Sequence, residues 1–278
     1  VYPAPVEPSG GWPRTGGNSS SSSDEKVQTE LKRCGFYNGA IDGDFGPKSI
    51  QGVWMYQQTR WLVQDGDWGY TTNQYAFPPE HAIFCVDYSF TNEWTGEELA
   101  GRGVNGAGRY VYGATYDGGK PGKGMDKPEF DDLTAHGVPP WYSYETDHTD
   151  PISGFATGVR HAQDAAKWRA LYDLPKQITY YNWDTDYFPE RDRENLLNGL
   201  RGAISIDGAS WVGLYGEYDA IKDAFDAGLI VSGWQTYAWS GGPGGVIQWD
   251  PRAKYRQWKN GQWNDTVDFC WNMTNVKH

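Results

Sequence analysis

From about residue 80 to its end the chain alternates strand-like and helix-like segments, and no other feature narrows the possible folds so far. Strand candidates run in the order AIFCVDYS, GRYVYGA, PPWYSYE, QITYYNWD, SWVGLYG, SGWQTYAW, AKYRQW and TVDFCWN. Helical patterns separate the first six: TGEELAGRGV, KPEFDDLTAH, SGFATGVRHAQDAAKWRALYDL, ERDRENLLNGLRGAISI and YDAIKDAFDAG. Such alternation builds a parallel sheet, and eight strands favour a closed (β/α)8, TIM-like barrel over an open doubly wound sheet. No Gly-x-Gly-x-x-Gly follows a strand, which argues against a dinucleotide fold. The loops SGGPGGVIQWDP and KNGQWND are too short for full helices, so the barrel is predicted to be small and irregular around its last three strands.

Upstream of this α/β region the texture changes. Residues 1–26 are rich in Pro, Gly and Ser, end in NSSSSSDEK and read as a flexible tail or linker. Residues 27–78 read as a small all-α domain: Val27, Leu31 and Cys34 fall at helical spacing before Gly35, and Ile50, Val53, Trp54 and Gln57 share a face of a second helix. Pro78 and Pro79 break regular structure and mark the boundary with the barrel, residues 79–278. Two similar turns, DGDFG (Asp42 to Gly46) and DGDWG (Asp65 to Gly69), flank the second helix; they lack the later ligands and terminal Glu of a calcium loop.

A net charge of -12 and the absence of Lys and Arg clusters exclude a partner held by phosphate neutralisation, so nucleic acid is not expected. No apolar run approaches the roughly 18 to 20 residues of a membrane-spanning helix, so membrane insertion is not expected either. The start, VYPAPVEPSGGWPRTGG, has no signal-peptide pattern; export by another route or prior removal of a signal is the expectation. Aromatic residues make up 16% of the chain, with 15 Trp, and flat amphipathic rings serve both large cores and sugar-stacking surfaces. Cys34, Cys85 and Cys270 form neither a disulfide framework nor a metal clip. Cys85 and Cys270 lie on the first and last strands, neighbours in a closed barrel, which admits either a disulfide or two buried thiols.

In such barrels chemistry gathers at the C-terminal ends of the strands. Asp87 ends the first strand, Glu145 the third, and Asp184 and Asp186 the fourth, while Asp268 lies within the eighth. Period-2 alternation puts Cys85 with Asp87, Ser143 with Glu145, and Tyr180 with Asn182, Asp184 and Asp186 on common faces. One carboxylate after a strand is as well explained by capping the next helix. Five converging on one mouth are not so explained, and two carboxyls flanking a glycosidic bond are the apparatus of glycoside hydrolysis, one protonating the leaving oxygen and the other serving as base or nucleophile. Metal-dependent hydrolysis lacks its motif, since His148 to Asp150 and His161 are the only near approach, and no metal or cofactor is expected. Cys85 sits within an apolar strand, where a thiol is a poor nucleophile, and Gly-x-Ser-x-Gly is absent.

Two family resemblances sharpen these expectations. LKRCGFYNGAIDGDFGPKSIQGVWMYQQ followed by DGDWGYTT, over roughly residues 27 to 76, resembles the small helical peptidoglycan-binding domain of many cell-wall hydrolases, with Gly69-Tyr70 replacing its second Gly-Pro. DYSF, YETD, ITYYNWDTDY, VGLYGEYDAIKDAFDAG, WQTYAWSGG, WDPRAKYRQWKNG and VDFCW resemble the glycoside-hydrolase-like barrel of actinobacterial proteins and phage lysins, itself similar to family 25 glycoside hydrolases. That resemblance implies an extracellular or wall-located muramidase, cutting the bond between N-acetylmuramic acid and N-acetylglucosamine, with bacterial peptidoglycan as partner. Its carboxylate pattern falls on Asp87, Glu145, Asp184 with Asp186, and Asp268. Asp186 or Glu145 would be the general acid, Asp184 and Asp87 would stabilise the transition state or position water, and Asp268 would support them. Tyr180, Tyr215, Gln235 and Tyr237 would contact the glycan. Family 25 enzymes carry Glu where this chain has Asp186, shorter by a methylene, so a non-catalytic glycan-binding barrel is the alternative implied.

Overall fold

A computed structural model describes residues 24–59, 62–76, 82–112, 122–146, 149–240, 247–263 and 266–274. The chain divides into two compact units, Val1–Glu80 and His81–His278.

In the first unit, α1 (Asp24–Arg33), α2 (Pro47–Thr59) and α3 (Tyr70–Ala76) pack around Val27, Leu31, Val53, Tyr56 and Trp68. The first helix therefore begins within the segment expected to be tail, and Gly35, at φ +80°, ends it in the left-handed region that favours glycine. The two Asp-Gly-Asp turns are held by amides. Gln28 of α1 donates to Asp42 Oδ1 and Asp44 O, both at 3.0 Å, while its Oε1 accepts from the N–H groups of Asp42 and Gly43 at 2.9 and 3.0 Å. Gln57 of α2 repeats the pattern on the second turn: it donates to Asp65 Oδ1 (2.7 Å) and Asp67 O (2.9 Å) and accepts from Asp65 N and Gly66 N. Ser49 and Thr72, each seven residues after the first Asp of its turn, complete the two networks. The recurrence in sequence is thus a structural repeat built on a buried glutamine.

In the second unit, eight strands close into a barrel: β1 (Ile83–Tyr88), β2 (Ala107–Tyr110), β3 (Pro140–Tyr144), β4 (Thr179–Asn182), β5 (Val212–Gly216), β6 (Ser232–Thr236), β7 (Ala253–Gln262) and β8 (Val267–Asn272). Helices α4 (Gly96–Gly101), α5 (Lys127–Ala135), α6 (Phe155–Leu171), α7 (Pro189–Asp207) and α8 (Tyr218–Asp226) follow β1 to β5 in turn. Helices α6 and α7 approach closely enough that a Cβ on Gly158 would lie 1.8 Å from the Gly199 carbonyl, so small residues there are required. The irregular side is more irregular than expected. Strands β1 to β7 run parallel, but β8 turns back after β7 and pairs antiparallel with both β7 and β1. A short connection permits only that reversal, because a parallel crossover needs a dozen or more residues.

The barrel interior is filled by Cys85, Trp141, Tyr180, Tyr215, Trp234, Tyr255 and Cys270. Trp141 stacks on Tyr255 with ring centroids 4.1 Å apart, and Trp234 meets Trp141 and Tyr215 edge-on. Much of the aromatic excess is therefore core. Cys85 and Cys270 are direct register partners across β1 and β8, yet both are free, buried thiols.

Replacing Gln57 by Leu strands the N–H groups of Asp65 and Gly66, at a cost of about 2 to 3 kcal/mol. Hydrogen exchange of the full chain should show faster exchange across residues 24–76 and unchanged protection in the barrel; equal protection in both units would contradict the glutamine's role.

Candidate active site at the barrel mouth

Inward-facing positions recur every second residue, so each strand stacks a chemically active side chain above the one that fills the interior. The series are Cys85–Asp87, Gly108–Tyr110, Trp141–Ser143–Glu145, Tyr180–Asn182–Asp184, Gly213–Tyr215–Glu217 and Tyr255–Gln257, with Cys270–Asp268 on the reversed β8. Gly108 makes room for the arrangement, since a Cβ there would lie 2.7 Å from Asp87 Cβ and 2.9 Å from the Trp141 ring. At the mouth is a cavity of about 330 Å³ whose lining includes Asp87, Tyr110, Asp184, Tyr215, Gln257 and Asp268.

Asp87 and Asp268 are cross-strand partners, an antiparallel placement that sets two like charges side by side. Gln257 on β7 holds them. Its Nε2 lies 3.2 Å from Asp87 Oδ2 and 2.9 Å from Asp268 Oδ2, while its Oε1 accepts from the Tyr215 hydroxyl at 2.8 Å, which turns the amide's donors toward the acids. Cys270 Sγ donates to Asp87 Oδ2 at 3.1 Å, and the Gly261 N–H donates to Asp268 Oδ1 at 2.7 Å. Burial, and then the Asp268 charge, push the Asp87 carboxyl well above its usual range against the hydrogen bonds from Cys270 and Gln257. Burial pushes Asp268 up to about 6, opposed by the Gly261 N–H. The segment after β1 is fixed from behind: fully buried Arg109 donates to Glu129 Oε1 at 2.7 Å and to the carbonyls of Tyr88 and Phe90.

Tyr110 lines the same cavity. Its phenol is pushed well up by burial and then by the charges of Glu145, Asp87, Asp184 and Asp268, so it keeps its proton and remains a donor. The charges of four of the five carboxylates expected at the mouth thus raise this one phenol. Glu145 arrives there already paired, with its Oε2 accepting from Lys123 Nζ at 3.1 Å; the same Nζ lies 5.1 Å from the centre of the Tyr110 ring. Asp184 is half-buried and lines the cavity, whereas Asp186 is exposed and does not.

The ring and amide contacts expected from sequence divide differently. Tyr215 lines the cavity, and Tyr237 is half-buried outside it. Tyr180 is part of the buried interior below, its hydroxyl 2.6 Å from Ser232 Oγ. Gln235 faces the other side of β6, where it donates to Gln248 O at 2.6 Å and accepts from Asp250 N at 2.8 Å; it ties down a loop and has no free group for a sugar. Sequence reasoning missed Tyr110, Gln257 and Lys123. Alternation from Tyr255 would have found Gln257; nothing local marks Lys123.

The cysteine and histidine alternatives lose their chemistry. Burial pushes Cys85 up to about 12, and Cys270 is raised by burial and by Asp87. His161 Nε2 lies 3.1 Å from Asp150, which also takes a bidentate contact from Arg160, while His148 lies outside the described residues. Among the described residues no group of three or more His, Cys, Asp or Glu could hold a metal ion, and no helix is long and apolar enough to cross a membrane.

Comparison with known proteins agrees with this fold. The family model of the Rv2525c-like, glycoside hydrolase-like domain matches residues 97–271, and that of a putative peptidoglycan binding domain matches residues 20–74. No curated protein matches the chain. Among solved structures, the Tat-secreted protein Rv2525c of Mycobacterium tuberculosis in complex with HEPES superposes with a TM-score of 0.59 at 26% identity, covering 68% of this chain and 94% of that one. Its complex with L-tartrate gives 0.60 at 24% identity, with 69% and 96% covered. An uncharacterized B. stearothermophilus protein shares the fold at 15% identity, with a TM-score of 0.52 and 70% and 97% covered.

Asp87 and Asp268 bind protons more tightly folded than unfolded. Their contribution to stability is complete below the unfolded value near 4 and is lost as pH rises, through about 6 for Asp268. The Tm of Asp268→Asn minus that of the native chain should therefore become more positive from pH 4 to pH 7; a flat difference would contradict the crowding.

Proposed function

We propose, for a chain that belongs to the Rv2525c-like, glycoside hydrolase-like family and carries a peptidoglycan-binding domain ahead of its barrel, that it hydrolyses the glycan strands of bacterial peptidoglycan. The bond cut is that between N-acetylmuramic acid and N-acetylglucosamine. One observation carries the proposal: the mouth cavity holds Asp87 and Asp268, pushed toward their protonated forms, beside the half-exposed Asp184. Carboxyl groups crowded into one cavity, some of them held toward their protonated forms, are what acid-assisted glycoside cleavage needs.

In this reading Asp184 faces the anomeric carbon and stabilises the positive charge that develops there as the bond breaks. Asp87, Asp268 and Gln257 form the rigid wall behind it, and Tyr110 and Tyr215 supply hydroxyl donors. Of the two acids considered, Asp186 is assigned proton donation because Glu145 Oε2 is already taken by Lys123 Nζ. The small domain keeps the barrel at the wall by raising its effective concentration there. The site of action is accordingly outside the cell or in the wall, as for a secreted or phage-borne lytic protein. A barrel that binds glycan without cutting it is the second reading, and the Lys123–Glu145 pair favours it by neutralising one of the mouth acids.

Digestion of purified peptidoglycan should release new reducing ends on N-acetylmuramic acid. Asp184→Asn should lower that release about 10²- to 10³-fold, the scale of losing one preorganised electrostatic contact, with pelleting on wall unchanged. Pelleting without reducing ends in the native chain would sink the hydrolase and support the binder. Removal of residues 1–78 should weaken pelleting more than it slows cleavage of soluble glycan fragments; full retention on the wall would refute the small domain's role.

A further inference from the structure

Asp87 and Asp268 bring their carboxyl oxygens to one cavity wall, and those oxygens are unequally supplied with donors. Asp268 Oδ1 accepts from the Gly261 N–H at 2.7 Å, and its Oδ2 accepts from Gln257 Nε2 at 2.9 Å. Asp87 Oδ2 accepts from Cys270 Sγ at 3.1 Å and from Gln257 Nε2 at 3.2 Å. A glutamine amide has two N–H bonds, and both are spent on the two Oδ2 atoms. Asp87 Oδ1 is left with a longer contact to the same nitrogen, at 3.4 Å. Tyr215, donating to Gln257 Oε1 at 2.8 Å, keeps the amide from turning over and changing that supply. No cation offsets the two acids: among the described residues neither has an ion pair, and Lys123 is held by Glu145. A buried pair of this kind keeps a proton, and the oxygen that no N–H is aimed at is where an O–H fits without conflict.

We infer that Asp87 is a neutral carboxyl whose Oδ1–H donates a hydrogen bond to the acetamido carbonyl of a sugar in the cavity, and thereby selects N-acetylated glycan. The inference rests on the peptidoglycan reading and gives a wall residue of that reading a contact with the ligand. Burial, then the charge of Asp268, push the Asp87 carboxyl well up, and the charge of Asp184 on the same cavity adds to them. The other titratable groups around it, the Tyr110 and Tyr215 phenols and the Cys270 thiol, are themselves pushed up by burial and stay neutral. A carboxylic acid kept neutral by its surroundings can serve an enzyme as a donor to a ligand oxygen. Both sugars of peptidoglycan carry an acetamido group, and its amide carbonyl is a stronger acceptor than their hydroxyl or ring oxygens.

The test measures, by calorimetry from pH 5 to pH 9, binding of the full-length protein to tetramers of N-acetylglucosamine and of glucose, both uncharged. At pH 5 the native chain should prefer the N-acetylated tetramer about 10- to 100-fold, the scale of leaving one buried donor unpaired. That preference should fall in step with ionisation of the Asp87 carboxyl, followed by carbon-13 NMR. Asp87→Asn puts an amide N–H at the Oδ1 position and keeps an oxygen for Cys270 and Gln257, so it should retain the preference and free it from pH. Asp87→Val offers no donor and should abolish it. A preference lost in Asp87→Asn or kept in Asp87→Val, or an Asp87 carboxyl already ionised at pH 5, would overturn the donor and leave the hydrolase standing. The expected preference in a native chain that releases no reducing ends from peptidoglycan would uphold the donor and remove the hydrolase.

Discussion

The barrel closes where β8 runs back along β1, and that closure places Asp87 directly opposite Asp268. Two buried carboxyls in such contact cannot both ionise cheaply, so one side of the site is held near its protonated form by the same hydrogen-bonded ladder that completes the fold. Gln257 makes the arrangement tolerable by donating to both acids while Tyr215 fixes its orientation. Beneath them, Trp141, Tyr255 and Trp234 fill the interior tightly, which leaves the polar groups above them little freedom to move. Fold closure and site electrostatics are in this sense one constraint.

The reversal of β8 also explains how an acid near the start of its strand reaches the mouth. In a parallel strand, the second residue would lie at the far end of the barrel; in the antiparallel β8, Asp268 sits level with Asp87. The pattern of strands and helices was legible because period-2 and helical patterns differ plainly over this length of chain. The direction of β8 was not legible, since a strand reads alike in both senses and only the brevity of the loop before it hinted at a hairpin. The aromatic stretch around Asp184 shows the same limit. Tyr180, Tyr181, Trp183 and Tyr187 are buried, and only Phe188 is exposed, so a composition suited to sugar binding served chiefly to pack a barrel.

The site was legible to the extent that it depends on carboxylates ending strands. Asp87, Asp184 and Asp268 line one cavity, and Glu145 bears with them on Tyr110. What escaped the sequence depends on neighbours distant in the chain: Lys123 reaching Glu145, and Gln257 reaching across to Asp87. Gln235 escaped in the opposite direction, because one residue of strand parity separates a glycan contact from a loop anchor. The Asp-Gly-Asp turns show a similar ambiguity: acidic turns that suggest a cation turn out to be folded around buried glutamine amides.

The claim on which all of this bears is that the mouth carboxyls direct water to an anomeric carbon. Digesting purified peptidoglycan in water enriched with oxygen-18 and weighing the released fragments tests it most directly. One heavy oxygen on the reducing N-acetylmuramic acid of each new end is the expected result. Label carried only on freed peptides, or unlabelled glycan with the protein still bound to the wall, would contradict it.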